Sequence, residues 1–228
     1  MASLFGLVVE TYMPLISSSG LAVISTLVVI SALMHLRAEY FGPKRNVYLF
    51  KPLTVLLIIL IAARAKNPVS EFYRYAIVAG LVCSLAGDIF LMLPRERFIA
   101  GLASFLLAHL CYIAAFIFEG AHTFGLLYGI PFLIYGAVML RVLLPGLGSM
   151  KAPVIVYTMA IILMAWGALS RWIETGQEGS ALAFTGALLF VISDSILAVN
   201  RFRRRFPSAQ LYIMSTYFMA QWLIALST

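Results

Sequence analysis

The chain has 228 residues, 63% of them hydrophobic and 11% charged, and a mean hydropathy of +1.00. A soluble domain carries roughly a quarter charged residues, so this composition excludes a soluble globular protein and implies an integral membrane protein. The formal charge of +7 follows the loops, as shown below, and is expected to serve topology rather than nucleic-acid binding.

A spanning helix needs ~20 mostly apolar residues. Eight stretches qualify, at about 13–35, 46–64, 73–93, 97–119, 122–144, 152–173, 180–200 and 210–227. The predicted fold is all-α, a polytopic transmembrane bundle of eight spans forming one membrane domain over 1–228. No Lys or Arg precedes Arg37, so the basic leader of a cleaved signal peptide is not expected. Cys83 and Cys111 fall inside spans and read as small core residues. The odd loops hold twelve Lys/Arg, Lys51 counted among them, and the remaining segments hold four, Arg64, Lys66, Arg74 and Arg171. By the positive-inside rule the odd loops are cytoplasmic and both termini face outward. The basic excess also favours anionic lipid headgroups.

The polar residues inside the spans carry the functional signal. The second span brings Lys51. The third runs Gly80-x3-Ser84-x3-Asp88 along one face, and the seventh repeats it as Gly186-x3-Phe190-x3-Asp194, 106 residues later. Spacing by four keeps residues on one side of a helix, and a glycine at the start of each stripe lets a neighbouring helix approach closely. A parallel four-plus-four internal repeat is the expectation. Asp88 and Asp194 each precede a basic residue, Arg95 and Arg201, by seven positions, ~10 Å of helix. Both carboxylates therefore lie just below the cytoplasmic headgroups, in a layer shared with Lys51 and Tyr157. The fourth span adds Gly101-x3-Phe105-x3-His109 and Tyr112, and the eighth adds Tyr217-x3-Gln221. His109 and Gln221 lie nearer the midplane. These side chains are expected to converge on a cavity open toward the cytoplasm.

An ionisable residue at the centre of a span costs ~2.5–3.5 kcal/mol or more on insertion scales and is kept mainly for function or because it is paired. A structural Lys51–Asp ion pair would account for one carboxylate and leave the other unexplained. Histidines 35, 109 and 122 show no ligand spacing, and there is no HExxH or cysteine pair, so no metal is expected. Neither a P-loop, a GxSxG elbow nor a dinucleotide motif occurs, and no cofactor is expected.

"KPLT" at Lys51–Thr54, "GDIFLMLPRER" at Gly87–Arg97, "GLASFLLAHLCY" at Gly101–Tyr112, "GALLFVISDSILA" at Gly186–Ala198 and "YFMAQ" at Tyr217–Gln221 follow one another in order. This arrangement resembles the YhhN-like lysoplasmalogenases, eight-helix membrane proteins of bacterial inner membranes and animal endomembranes. The resemblance spans nearly the whole chain, the first helix and 121–148 excepted. It implies hydrolysis of the vinyl ether bond of lysoplasmalogens to a fatty aldehyde and glycerophosphoethanolamine or glycerophosphocholine, in a bacterial inner membrane. It also implies Asp88 and Asp194 as the catalytic pair, with Lys51, His109, Tyr112, Tyr157, Ser193, Tyr217 and Gln221 in support. The lipid phosphate is expected near Arg95, Arg97 or Lys51, and the only partner implied is the lysophospholipid in the membrane.

Vinyl ether hydrolysis begins with protonation of the alkene carbon remote from the ether oxygen. It needs an acid that stays protonated and an anion for the oxocarbenium ion, a demand that glycosidases meet with two carboxyl groups. Which aspartate plays which part is left open by the sequence. The rival readings are a proton-coupled small-molecule or lipid transporter that relays protons through the same pair, and a structural scaffold. The scaffold leaves two matched carboxylates without a purpose.

Overall fold

A computed structural model describes residues 2–93, 97–120 and 125–228, with side chains from Gly20 onward, Leu126 excepted. Eight α-helices and no strand occur among the described residues: α1 Ala2–Phe41, α2 Lys44–Ala63, α3 Glu71–Met92, α4 Phe98–Phe118, α5 Leu126–Leu143, α6 Lys151–Thr175, α7 Glu178–Phe202 and α8 Ala209–Leu226. Two short 3-10 turns, Leu144–Gly146 and Gly148–Met150, join α5 to α6.

Seven of these helices are long and apolar enough to cross a bilayer, α1 through its Gly20–Phe41 stretch. Arg37 and Glu39 alone do not stop a helix, and α1 runs on to Gly42 and Pro43, where a helix breaker follows a flexible residue. The eighth helix has 18 residues and contains Gln210 and Gln221, which lower its apolarity. Its inner face is buried against the other helices through Ile213, Tyr217, Ala220, Gln221 and Ile224.

The molecule is apolar outside and holds several charged and polar side chains within a mainly apolar core. Leu33, Val23, Ile99, Met159 and Leu127 are between 59% and 75% exposed, whereas Lys51, Asp88 and Arg171 are buried. Water would penalise such a surface, and hydrocarbon does not. The chain is an integral membrane protein.

Helix pairs α3–α4 and α7–α8 form the two most closely packed hairpins, and α6 joins α4 to α7. The two stripe glycines explain the tightness. A Cβ on Gly80 would lie 2.3 Å from Tyr112 Cε1, and one on Gly186 would lie 2.8 Å from the Ala220 carbonyl oxygen. α5 lies at the periphery, packed on α6 and touching α7.

Arg171 departs from its expected place in an outer loop. It is fully buried in α6, 4.4 Å from the centre of the Tyr73 ring, and donates to the Glu119 carbonyl (3.0 Å) and the Tyr73 hydroxyl (3.2 Å). Tyr73 in turn bonds Ser227 at 2.8 Å. This cluster ties α3, α4, α6 and the end of α8 together at the face opposite the carboxylates. With Lys51 and Arg171 both inside the bundle, the loop bias becomes eleven to three (12 − 1 and 4 − 1) and keeps its sign.

Candidate active site

Each aspartate holds a tyrosine and one further side chain. Asp88, 1% exposed, receives the Tyr217 hydroxyl on Oδ2 at 2.7 Å and the Lys51 ammonium on Oδ1 at 3.1 Å. Asp194 accepts from the Tyr157 hydroxyl on Oδ2, and His109 Nε2 stands 2.9 Å from that hydroxyl and 3.5 Å from the same carboxylate oxygen. Because Tyr157 has one proton and gives it to Asp194, its oxygen must accept from His109, which assigns the ring proton to Nε2. Nδ1 of His109 has no hydrogen-bond partner among the described residues.

The two sites follow one plan. Lys51 and Tyr157 are 106 residues apart (157 − 51), as are the aspartates (194 − 88). Within each half, the second helix supplies a partner to the third. The remaining partner crosses over: Tyr217 of α8 reaches Asp88, and His109 of α4 reaches Asp194. The chemistry of the two positions differs all the same. An ammonium pairs with Asp88, whereas Asp194 is held by two groups with no fixed charge.

Phe190 fills the space between the two arrangements. Its ring lies 4.7 Å from His109 and 5.5 Å from Tyr217, centre to centre. It occupies the stripe position where α3 has Ser84, one turn before the aspartate. Tyr112 donates to Gln221 Oε1 at 2.7 Å, and both are fully buried. Ser193 donates to the Ile213 carbonyl at 3.0 Å and so fixes α7 to α8 beside Asp194.

Asp88 and Asp194 both line a cavity of about 670 Å³, with Lys51, Ser193 and Tyr217. Lys44, Arg201 and Arg205 line it together with Glu39, and His35, Tyr48, Asn200 and Gln210 add further polar lining. His109, Tyr112 and Gln221 are not among the described residues that line it. Tyr157 instead lines a narrower, largely apolar crevice of about 70 Å³ among α4, α5, α6 and α7, which Asp194 also borders. Arg97, expected near the lipid phosphate, is exposed at the start of α4 and lines neither space; Arg95 and His122 lie outside the described residues. No group of three His, Cys, Asp or Glu side chains suited to a metal occurs among the described residues.

Arg201, Arg205, Lys44, Glu39 and His35 were not expected at the site. Arg201 was legible in principle: it follows Asp194 by seven residues, two helical turns, and so shares its face. Its guanidinium sits 3.9 Å from the centre of the Phe98 ring. Glu39 and Lys44 flank the break at Gly42–Pro43 and read as ordinary loop charges until the fold turns them inward.

The YhhN family model matches residues 46–228. "Uncharacterized membrane protein YhhN" of Escherichia coli O6:H1 is 32% identical over 200 residues, covering 88% of this chain and 95% of that protein. "Lysoplasmalogenase TMEM86B" of Homo sapiens is 40% identical over 155 residues, 68% of this chain and 64% of its own length. "Lysoplasmalogenase TMEM86A" of Homo sapiens is 35% identical over 162 residues, 66% of this chain and 64% of its own length. No solved structure matches. With an aspartate of α3 and one of α7 on the same cavity, and a family match from α2 to the last residue, this chain belongs to the YhhN family.

Proposed function

We propose that the protein is a membrane hydrolase that cleaves the vinyl ether bond of lysoplasmalogens, releasing a fatty aldehyde and glycerophosphoethanolamine or glycerophosphocholine. The observation that carries this reading is the pair of unlike carboxyl groups on one charged cavity. Asp88 is fixed as one half of an ion pair with Lys51, and Asp194 is held by Tyr157 and His109. The names of the human relatives support the same chemistry.

In this mechanism Asp194 gives its proton to the alkene carbon remote from the ether oxygen, C2 of the chain, and the positive charge develops on the ether oxygen and its attached carbon. Asp88 supplies a fixed negative charge on the same cavity, which stabilises that cation in a low-dielectric site. A water molecule from the cavity adds to the oxygen-bearing carbon and loses a proton to the Asp194 carboxylate, which restores the acid. The resulting hemiacetal breaks its bond to the glycerol oxygen, which takes up a proton as the hemiacetal hydroxyl gives one up, leaving the aldehyde and the free glycerol hydroxyl. Tyr157 and His109 orient Asp194 and lie on a path by which a proton can return to it. Lys44, Arg201 and Arg205 suit the phosphate of the lipid.

We place the protein in a bacterial inner membrane with the cavity mouth facing the cytoplasm and both termini outside, as the basic bias of the loops supports. The test of the activity is direct. Purified protein is incubated with alkenyl and acyl lysophospholipids, and aldehyde and fatty acid are detected separately. Aldehyde from the alkenyl lipid alone is the expected result, and fatty acid from the acyl lipid contradicts the reading.

A further inference from the structure

The polar cavity and the apolar crevice share Asp194, Leu91, Phe98, Phe105, Leu197 and Arg201 as lining. Beyond that border the two differ completely. The cavity has Lys44, Arg205, Glu39, Lys51 and Asp88 on its walls, whereas the crevice is built mainly of apolar side chains such as Leu102, Met139, Val154, Ile161 and Val191. The crevice reaches the outer surface at Tyr135, which is 38% exposed and is joined to Ser195, the neighbour of Asp194, by a 2.7 Å bond between their hydroxyls. A charged chamber and an apolar one meeting at a carboxyl group match a molecule with a charged head, a single chain, and its reactive bond at the joint between them.

We infer that the crevice among α4, α5, α6 and α7 is the binding site for the first carbons of a lysophospholipid's hydrocarbon chain. The remainder of the chain runs out past Tyr135 into the bilayer, and the headgroup occupies the charged cavity. This rests on the hydrolase reading above and adds to it, since it fixes the direction of the substrate. The first two chain carbons, which form the alkene of a vinyl ether, then lie at the border where Asp194 stands. Asp88, which lines only the cavity, is on the headgroup side. The orientation thus assigns Asp194 as the proton donor by an argument independent of the ion pair at Asp88. A narrow crevice suits one chain; a two-chain phospholipid would have to place its second chain among the charges of the cavity.

The test uses the full chain in nanodiscs and a saturated 1-alkyl lysophosphoethanolamine, which binds without being cleaved. One form carries a photoreactive diazirine on the fourth chain carbon. Illumination should label crevice residues on α4, α5 or α6, such as Leu102, Met139 or Thr158, and excess unlabelled alkyl lysolipid should abolish that labelling. Thr158 lines the crevice and bonds only the Val154 carbonyl of its own helix, so Thr158→Phe fills the space without touching the carboxylates. Each buried methylene is worth about fourfold in affinity. Thr158→Phe should therefore weaken alkyl lysolipid binding by about tenfold or more and leave the chainless ligand glycerophosphoethanolamine within about twofold of wild type. Met139→Trp serves the same purpose if the first variant does not fold. Labelling confined to the outer surface, equal loss for both ligands, or equal labelling by a two-chain phospholipid would each overturn the proposal. Crevice labelling without aldehyde release from the alkenyl lipid would leave the chain site standing and end the vinyl ether reading.

Discussion

At the scale of single residues, the two aspartates are expected to fail differently when altered. Asp88→Asn and Asp194→Asn should each lower turnover of the alkenyl lipid by about 100-fold or more, the usual worth of a proton donor or of a stabilising charge. Their effects on stability should diverge. Asp88→Asn leaves the Lys51 ammonium buried without its counter-ion, now 3.1 Å away, and breaking a buried pair costs ~3–5 kcal/mol. A clear drop in thermal midpoint is expected, and Lys51→Met added to Asp88→Asn should restore most of it without restoring activity. Asp194→Asn keeps an acceptor for Tyr157 and should melt close to wild type. Equal melting of the two single variants would contradict the ion-pair account. Tyr157→Phe removes the hydroxyl that links His109 to Asp194. It should lower turnover by about 10-fold or more, as loss of a group that orients the acid, while binding of the uncleavable alkyl lipid stays unchanged. The ring that lines the crevice is kept in this variant, so a matching loss in binding would make the Tyr157 hydroxyl itself a substrate contact.

At the scale of helices, two glycines set how closely the paired helices approach. Gly186→Ala places a methyl group 2.8 Å from a backbone oxygen of α8, which no side-chain movement can relieve. Overpacking of this kind typically costs ~1–3 kcal/mol, so a lowered melting midpoint is predicted, measured in the same detergent. An unchanged midpoint would mean that α7 and α8 are not held as tightly as described. The spacing by four in Gly80–Ser84–Asp88 and Gly186–Phe190–Asp194 made these contacts legible, because residue identity and helical period suffice to place them. The partners were less legible. His109 of α4 serves the aspartate of α7, and Tyr217 of α8 serves that of α3; such crossing depends on how the halves dock, which no single helix encodes. Arg171 and Lys51 were counted with the loops because a charge near the end of a span looks the same from sequence whether it turns outward or inward. Glu39 and Lys44 escaped notice for the same reason.

At the scale of the whole molecule, the charged cavity and the apolar crevice form one amphipathic space inside a bundle whose exterior is apolar. That division suits a substrate taken from the membrane itself. Its orientation is also testable: a C-terminal reporter active only in the cytoplasm should stay silent, and a strong signal from it would reverse the topology. The central claim is that a carboxylic acid protonates an alkene carbon, and one measurement addresses it most directly. Purified protein turns over the alkenyl lysolipid in heavy water, and the released aldehyde is analysed early by mass spectrometry and NMR. The account predicts a slowed reaction and one deuterium at C2 of the aldehyde, beside its carbonyl. Aldehyde without deuterium at that carbon would contradict it.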